Sequence, residues 1–222
     1  MDCQEKTVEH NIEKKSGFGN APTGCGKTFS VCIGALISFI NDKPDKYKNK
    51  SKNGLQLLWI TTLRALAKDI GRGMEEVMGE LGMNWKIGIR NGDTSMSEHA
   101  KQKRQVPEVL IITPESLHLL LAQKNYPEVF KTLKIIAVDE WHELLGSKRG
   151  VQVELALSRI TGLSLQPSAL SLQRPSIWGI SATIGNLQQA KDVLLSPLSQ
   201  IGLKEKDFVT VTANINKPID IE

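Results

Sequence analysis

Cysteine is scarce in this chain of 222 residues: Cys3, Cys25 and Cys32 are the full set, odd in number and without a C-x-x-C pair. The scarcity excludes a disulfide framework or a cysteine-built zinc site as an organising feature, and it fits a reducing, cytoplasmic setting. Long apolar runs are missing too. The opening MDCQEKTVEHNIEKK lacks the apolar core of a secretory signal, and the run VCIGALISFI (31–40) is far too short to span a bilayer. No membrane partner is expected. Neither sign of charge dominates: 28 Lys+Arg against 24 Asp+Glu leave a formal +4, which permits a polyanionic partner without requiring one. There is no internal repeat and no linker-like break in the body of the chain.

What is present is apolar content of 40%, enough for a substantial core, arranged in alternation. The strand-like runs are SGFGNA, LQLLWI, WKIGIR, EVLIIT, LKIIAVDE, SIWGIS and FVTVTA. Helical patterns stand between them at 27–40, 64–80, 97–104, 115–124, 151–163 and 186–195. Runs that are apolar at consecutive positions, such as Ile135, Ile136, Ala137 and Val138, read as strands buried on both faces. The pattern predicts an α/β, three-layer domain with a mainly parallel sheet and helices on both faces. The lysine-rich NDKPDKYKNKSKNG (41–54) reads as a solvated loop.

Two stretches carry chemistry. The first, NAPTGCGKTFS (20–30), follows the first strand and opens the first long helix. Gly24 and Gly26 let backbone N–H groups turn toward an anion, and the helix N-terminus adds partial positive charge. Lys27 can reach the β and γ phosphates of a nucleotide and the Thr28 hydroxyl can ligate Mg²⁺. Ala21 stands where the generic pattern has its first glycine. The second stretch, VDEWH (138–142), puts Asp139 and Glu140 just past a buried strand, where parallel sheets bind ligands. Asp139 can hold the metal from the side opposite Thr28, and Glu140 can orient and deprotonate the attacking water. His142 is placed to relay nucleotide state rather than to bind metal. The bland reading of these acids is a helix N-terminal turn stabilised by its dipole.

Taken together, the residues resemble superfamily 2 DExH-box helicases of the Lhr-like group, nearest to the ligase-associated DNA damage response type. APTGCGKT (Ala21, Pro22, Thr23, Gly24, Cys25, Gly26, Lys27, Thr28) is similar to motif I of that family, TTLRALAKD (61–69) to motif Ia, and TPESL (113–117) to motif Ib. DEWH (139–142) is similar to motif II and SAT (181–183) to motif III. GIRNGDTS, ELLGSKRGVQVELALSRI and GISATIGN are similar to stretches particular to the group. The resemblance implies a RecA-like P-loop domain over 1–212 that binds ATP and Mg²⁺, with Lys27 and Glu140 catalytic and Thr28 and Asp139 on the metal. It implies coupling through His142, Ser181 and Thr183. Gln4 stands at the place of an adenine-reading glutamine, and Arg64, Gly92, Asp93, Thr94 and Thr113 at places that touch a nucleic-acid backbone. Thr62 replaces a proline of motif Ia. Ser147, Lys148 and Arg149 are expected on a basic loop after motif II, Lys148 and Arg149 meeting the strand.

The resemblance further implies an ATP-dependent DNA helicase serving DNA repair, with single-stranded DNA favoured over RNA. No later motif follows Thr183. Residues 213–222 are therefore expected to begin a linker to a second RecA-like domain, the source of an arginine finger. Three alternatives stay open at this stage: an RNA-directed ATPase or remodeller, a nucleotide switch without turnover, and a P-loop kinase, the last disfavoured by SAT and by Glu140.

Overall fold

The computed structural model describes residues 2–21, 26–48, 53–62, 64–165, 174–182 and 184–213. Seven strands form one sheet: Ser16–Asn20 (β1), Leu57–Ile60 (β2), Ile87–Arg90 (β3), Val109–Ile112 (β4), Ile135–Val138 (β5), Ser176–Ser181 (β6) and Phe208–Thr212 (β7). Their order is β3-β4-β2-β5-β6-β1-β7, and every pairing is parallel. The helices are Asp2–Ile12 (α1), Lys27–Asp42 (α2), Arg64–Glu80 (α3), Met96–Arg104 (α4), Pro114–Leu121 (α5), Tyr126–Phe130 (α6), Trp141–Leu144 (α7), Lys148–Gly162 (α8) and Leu187–Gln200 (α9).

Continuous apolar runs become central strands because each face of the sheet needs its own apolar set. Leu57, Trp59, Val109, Ile111, Ile135 and Ala137 pack with Val31, Leu36, Ala67 and Met74 of α2 and α3. The residues between them, Leu58, Ile60, Leu110, Ile112, Ile136 and Val138, pack with Leu117, Trp141, Leu157 and Leu194 on the other side. Side chains alternate along a strand, so two cores on either side of one sheet demand apolar residues at every position. A buried carboxylate fixes the amino ends: Glu108 accepts from the backbone N–H groups of Lys86 at 3.0 Å and Asn53 at 3.3 Å.

All seven expected strands are present, each shorter than its apolar run except β6, and the six expected helices are present, α3 with the expected bounds and the other five with one or both ends shifted. Three helices come in addition. α1 has little periodicity, yet it lies on α2, where a Cβ added to Gly34 would meet the Asn11 Cβ at 2.6 Å. α6 and α7 are too short for periodicity to show. The helix expected from 151 begins at Lys148 because the Ser147 hydroxyl caps it, accepting from the Gly150 N–H at 3.1 Å. Lys148 and Arg149 are therefore not on a loop, as the basic run suggested, but in the first turn of α8. Asn41 and Asp42, read as loop, close α2. Among the described residues no helix is long and apolar enough to cross a membrane.

Gly150 offers a test of this packing. In an exposed helix Gly→Ala gains up to about 1 kcal/mol, but a Cβ here would run into the Leu144 carbonyl oxygen, which is backbone and cannot swing aside. Gly150→Ala should instead destabilise the domain by roughly 1–3 kcal/mol, read as a lower urea midpoint at unchanged m-value. A raised midpoint would show that α8 starts elsewhere.

Candidate nucleotide site and nucleic-acid interface

In a parallel sheet every strand ends at the same edge, and the loops at that edge carry nearly all the singled-out residues. β1, β5 and β6, with β6 between the other two, carry one group. β2, β3 and β4 carry the other.

In the first group, Gly26 sits at the start of α2 with φ 68°, a left-handed conformation that suits glycine. A Cβ there would strike the Gln4 amide, so α1 brings Gln4 against Gly26. Pro22, Thr23, Gly24 and Cys25 lie outside the described residues, as does Thr183. Lys27 and Thr28 occupy the first turn of α2. The Lys27 ammonium donates to the carbonyl oxygens of Ala21 and of Ser181, the latter at 2.9 Å, while the Ala21 N–H donates to the same Ser181 oxygen at 3.2 Å.

Ser181 reaches the acids as well. Its hydroxyl lies 3.0 Å from His142 Nδ1, and that nitrogen lies 3.3 Å from Glu140 Oε2. Glu140 has φ 48°, uncommon outside glycine, and it starts α7. Trp141, fully buried, donates its indole N–H to the Ala190 carbonyl at 2.9 Å and anchors the turn. Asp139 is buried, and its Oδ1 accepts from the Glu140 N–H at 3.0 Å. Burial pushes its carboxyl up to about 6, and the neighbouring Glu140 charge adds to the rise. The Glu140 N–H and the more distant Lys27 charge oppose it, as does the Trp59 indole, which leans toward the carboxyl without closing a well-formed hydrogen bond.

In the second group, Arg64 opens α3 and pairs with Asp93 at 2.8 Å, both exposed. The turn between them and β3 is organised by Asn91, which sequence reading passed over. Its side-chain oxygen accepts from the Asp93 N–H at 2.9 Å, and its own N–H donates to the Thr94 hydroxyl at 2.9 Å. The Asn-Gly pair was the available signal. A Cβ on Gly92 would press on the Arg64 guanidinium at 2.8 Å. Thr113 starts α5, its N–H donating to the Arg90 carbonyl at 3.2 Å. Arg64, Lys68, Arg72, Asn91, Thr94 and Ser95 are among the residues that line an open groove of about 770 Å³. Arg149 bonds Glu115 at 2.6 Å and so ties the first turn of α8 to that of α5, with Lys148 exposed beside it. Thr62 hydrogen-bonds Glu143 of α7 at 3.4 Å.

This fold and edge define a RecA-like nucleotide-binding domain. The DEAD/DEAH box helicase family description matches residues 1–191, and the chain belongs to that family. It is 34% identical over 187 residues, 78% of its length, to the Lhr helicase/uracil glycosylase of Escherichia coli (strain K12), of which it spans 11%. It is 29% identical over 209 residues to the ATP-dependent helicase Lhr-Core of Saccharolobus solfataricus, covering 91% of this chain and 22% of that one. Among solved structures, Mycobacterium smegmatis helicase Lhr bound to ssDNA and AMP-PNP superposes with a TM-score of 0.73 at 26% identity, over 96% of this chain and 25% of that one. The DUF1998 helicase MrfA bound to DNA, at 21% identity and a TM-score of 0.75 over 96% of this chain and 27% of that one, shares the fold. The chain thus spans a quarter or less of the length of the curated relatives Lhr and Lhr-Core.

The raised Asp139 carboxyl has a measurable consequence. Between about pH 4 and pH 6 the folded chain keeps a proton that the unfolded chain has lost, so this group's stabilising contribution is full below that window. It is lost as pH rises through it. In chelator, Asp139→Asn should match the parent near pH 4 and exceed it above pH 6.5 by something on the order of 2 kcal/mol in urea unfolding. Parallel pH profiles for the two proteins would show that burial does not hold this proton.

Proposed function

We propose that this domain is the ATP-binding and DNA-contacting first RecA-like unit, residues 1–212, of an Lhr-like ATP-dependent helicase. Residues 213–222 then begin the linker to a second RecA-like domain. The carrying observation is the chain of contacts Lys27, Ser181, His142, Glu140, which joins a cationic helix N-terminus to a pair of carboxylates at one sheet edge. The residues fit Mg-ATP. A lysine and a left-handed glycine at a helix start suit phosphate, and one buried carboxylate with one hydroxyl suits a hard cation that takes its remaining ligands from phosphate and water.

In this reading Lys27 binds the phosphates, Thr28 and Asp139 hold Mg²⁺, and the metal neutralises phosphate charge. The P-loop residues Ala21 to Gly26 wrap the phosphates, and Gln4 faces the base side. Glu140 takes a proton from water. His142 and Ser181, with Thr183, tie that event to the rest of the edge. Arg64, Gly92, Asp93, Thr94, Thr113, Lys148 and Arg149 line the path of a single strand and contact its backbone without reading sequence. The ssDNA in the Lhr structure supports DNA over RNA as the partner, and a repair role in the cytoplasm is the setting we infer.

Titration with labelled ATP tests the cradle: Lys27→Ala should abolish binding or weaken it strongly. Glu140→Gln should keep affinity and lose hydrolysis in the two-domain protein, because an amide cannot accept the water's proton. Undiminished binding by Lys27→Ala would end the proposal.

The strand path is tested by salt. Every backbone phosphate no longer met by a cation should flatten the slope of log affinity against log salt by roughly 0.7 for single strands. Arg64→Ala with Lys148→Ala should therefore lower the slope by about 1.4 on oligo-dT, with oligo-U measured beside it. An unaltered slope moves the path elsewhere, and tighter binding of oligo-U replaces DNA with RNA as the partner.

A further inference from the structure

On the sheet face opposite the Arg64 groove lies a second cavity, of about 200 Å³. Ile89 lines the groove and packs with the α2–α3 core. The next residue, Arg90, turns to the other face and lines the cavity, whose apolar walls include Val106, Pro107, Leu110, Leu120 and Val129. Arg90 is only 6% exposed. Its Nε donates to His99 Nδ1 at 3.0 Å, which requires a neutral imidazole at that nitrogen. Among the described residues no carboxylate pairs with its guanidinium, and burial alone accounts for the depression of its proton affinity. Glu128, at the rim, pairs with Lys131 at 2.7 Å, and Lys103 stands in the same wall. Gln102, also buried and in the wall, donates its amide to the Ile89 carbonyl at 3.1 Å and leaves its oxygen without a protein partner.

A buried cation facing apolar walls is costly unless an anion meets it. Guanidinium geometry favours a planar, bidentate acceptor, and the walls favour a compact apolar body. An apolar cavity of about 150 Å³ holds one benzene, so this one has room for a ring of that size with a carboxylate attached. We propose that the cavity is a binding site for a small amphipathic monocarboxylate of benzoate size, its carboxylate on the terminal nitrogens of Arg90 and its ring against Leu110, Leu120 and Val129. The proposal does not depend on the nucleotide or strand assignments made above.

The test is titration of the 222-residue chain with sodium benzoate, followed by backbone amide shifts at constant ionic strength. Benzyl alcohol serves as the uncharged probe of equal size. Saturable shifts at Leu110, Leu120 and Val129 are expected, with benzyl alcohol weaker by at least about tenfold, the value of a charge-assisted hydrogen bond. Arg90→Met should bring benzoate down to the level of benzyl alcohol. Leu120→Trp, which fills the cavity and spares the Arg90–His99 contact, should abolish binding of both, and it decides the matter should Arg90→Met fail to fold. Equal affinity for the two probes, benzoate affinity unchanged in Arg90→Met, benzoate binding retained in Leu120→Trp, or no saturable shifts at all would each overturn the proposal.

Discussion

The site depends on the backbone oxygen at the end of β6. The Ser181 carbonyl accepts from the Ala21 N–H and the Lys27 ammonium, while its hydroxyl meets His142. One residue can do this only because β6 lies between β1 and β5 in a parallel sheet, so the chain leaving β1 and the chain leaving β5 flank it. The arrangement also decides the electrostatics of Asp139. Lys27 donates to two carbonyls, and its charge is the weakest of the influences on the Asp139 carboxyl. Burial wins, and the acid retains its proton well above the usual carboxylate range. A cation bound beside it would reverse that balance, because a metal ion is the largest local charge wherever it sits.

Glu140 shows where the cost of this geometry is held. A non-glycine residue in the left-handed region loses about 1–2 kcal/mol, and nothing in Glu140 itself offsets that. The offset comes from the next residue. Trp141 is fully buried, with its indole N–H satisfied by Ala190, and full burial of a large apolar side chain contributes roughly 1.5–3 kcal/mol. Strain of this kind persists only where the surroundings over-determine it, and it gathers at sites that do chemistry.

The sheet was legible in the sequence because burial on both faces forces an apolar residue at every strand position, a signal strong even over four residues in β2, β4 and β5. The helix start at Lys27 and Thr28 was legible because these residues follow a strand and a glycine-containing turn signal. What escaped was set by tertiary partners rather than by periodicity. α1 is mostly polar and is held by Asn11 against Gly34. α7 spans a single turn, and its buried tryptophan belongs to a motif otherwise read for its charges. Lys148 and Arg149 looked like loop because a basic first turn opposes the helix dipole. The Ser147 cap and the Glu115 partner of Arg149 offset that penalty; the serine cap is a local signal, whereas the Glu115 partnership, 34 residues away, is set by tertiary structure.

The two halves of the edge meet in the β2–β5 pairing, whose last link is the Asp139 N–H on the Ile60 carbonyl at 2.9 Å, and their side chains are joined through α7. Arg149 and Glu115 are about half exposed, at 52% and 46%, and such pairs contribute little in water. The 3.4 Å contact between Thr62 and Glu143 is long and therefore weak. Glu140, His142, which bridges it to Ser181, and Glu143, which reaches Thr62 just past β2, stand on one short turn whose middle is fixed by Trp141. A turn of four residues pinned by a buried tryptophan has little room to deform internally. Movement at Glu140 must therefore either break the Trp141 anchor or carry Glu143 along with it. Of those two routes, carrying Glu143 costs less, since it stretches one weak hydrogen bond where the other leaves a buried N–H without a partner.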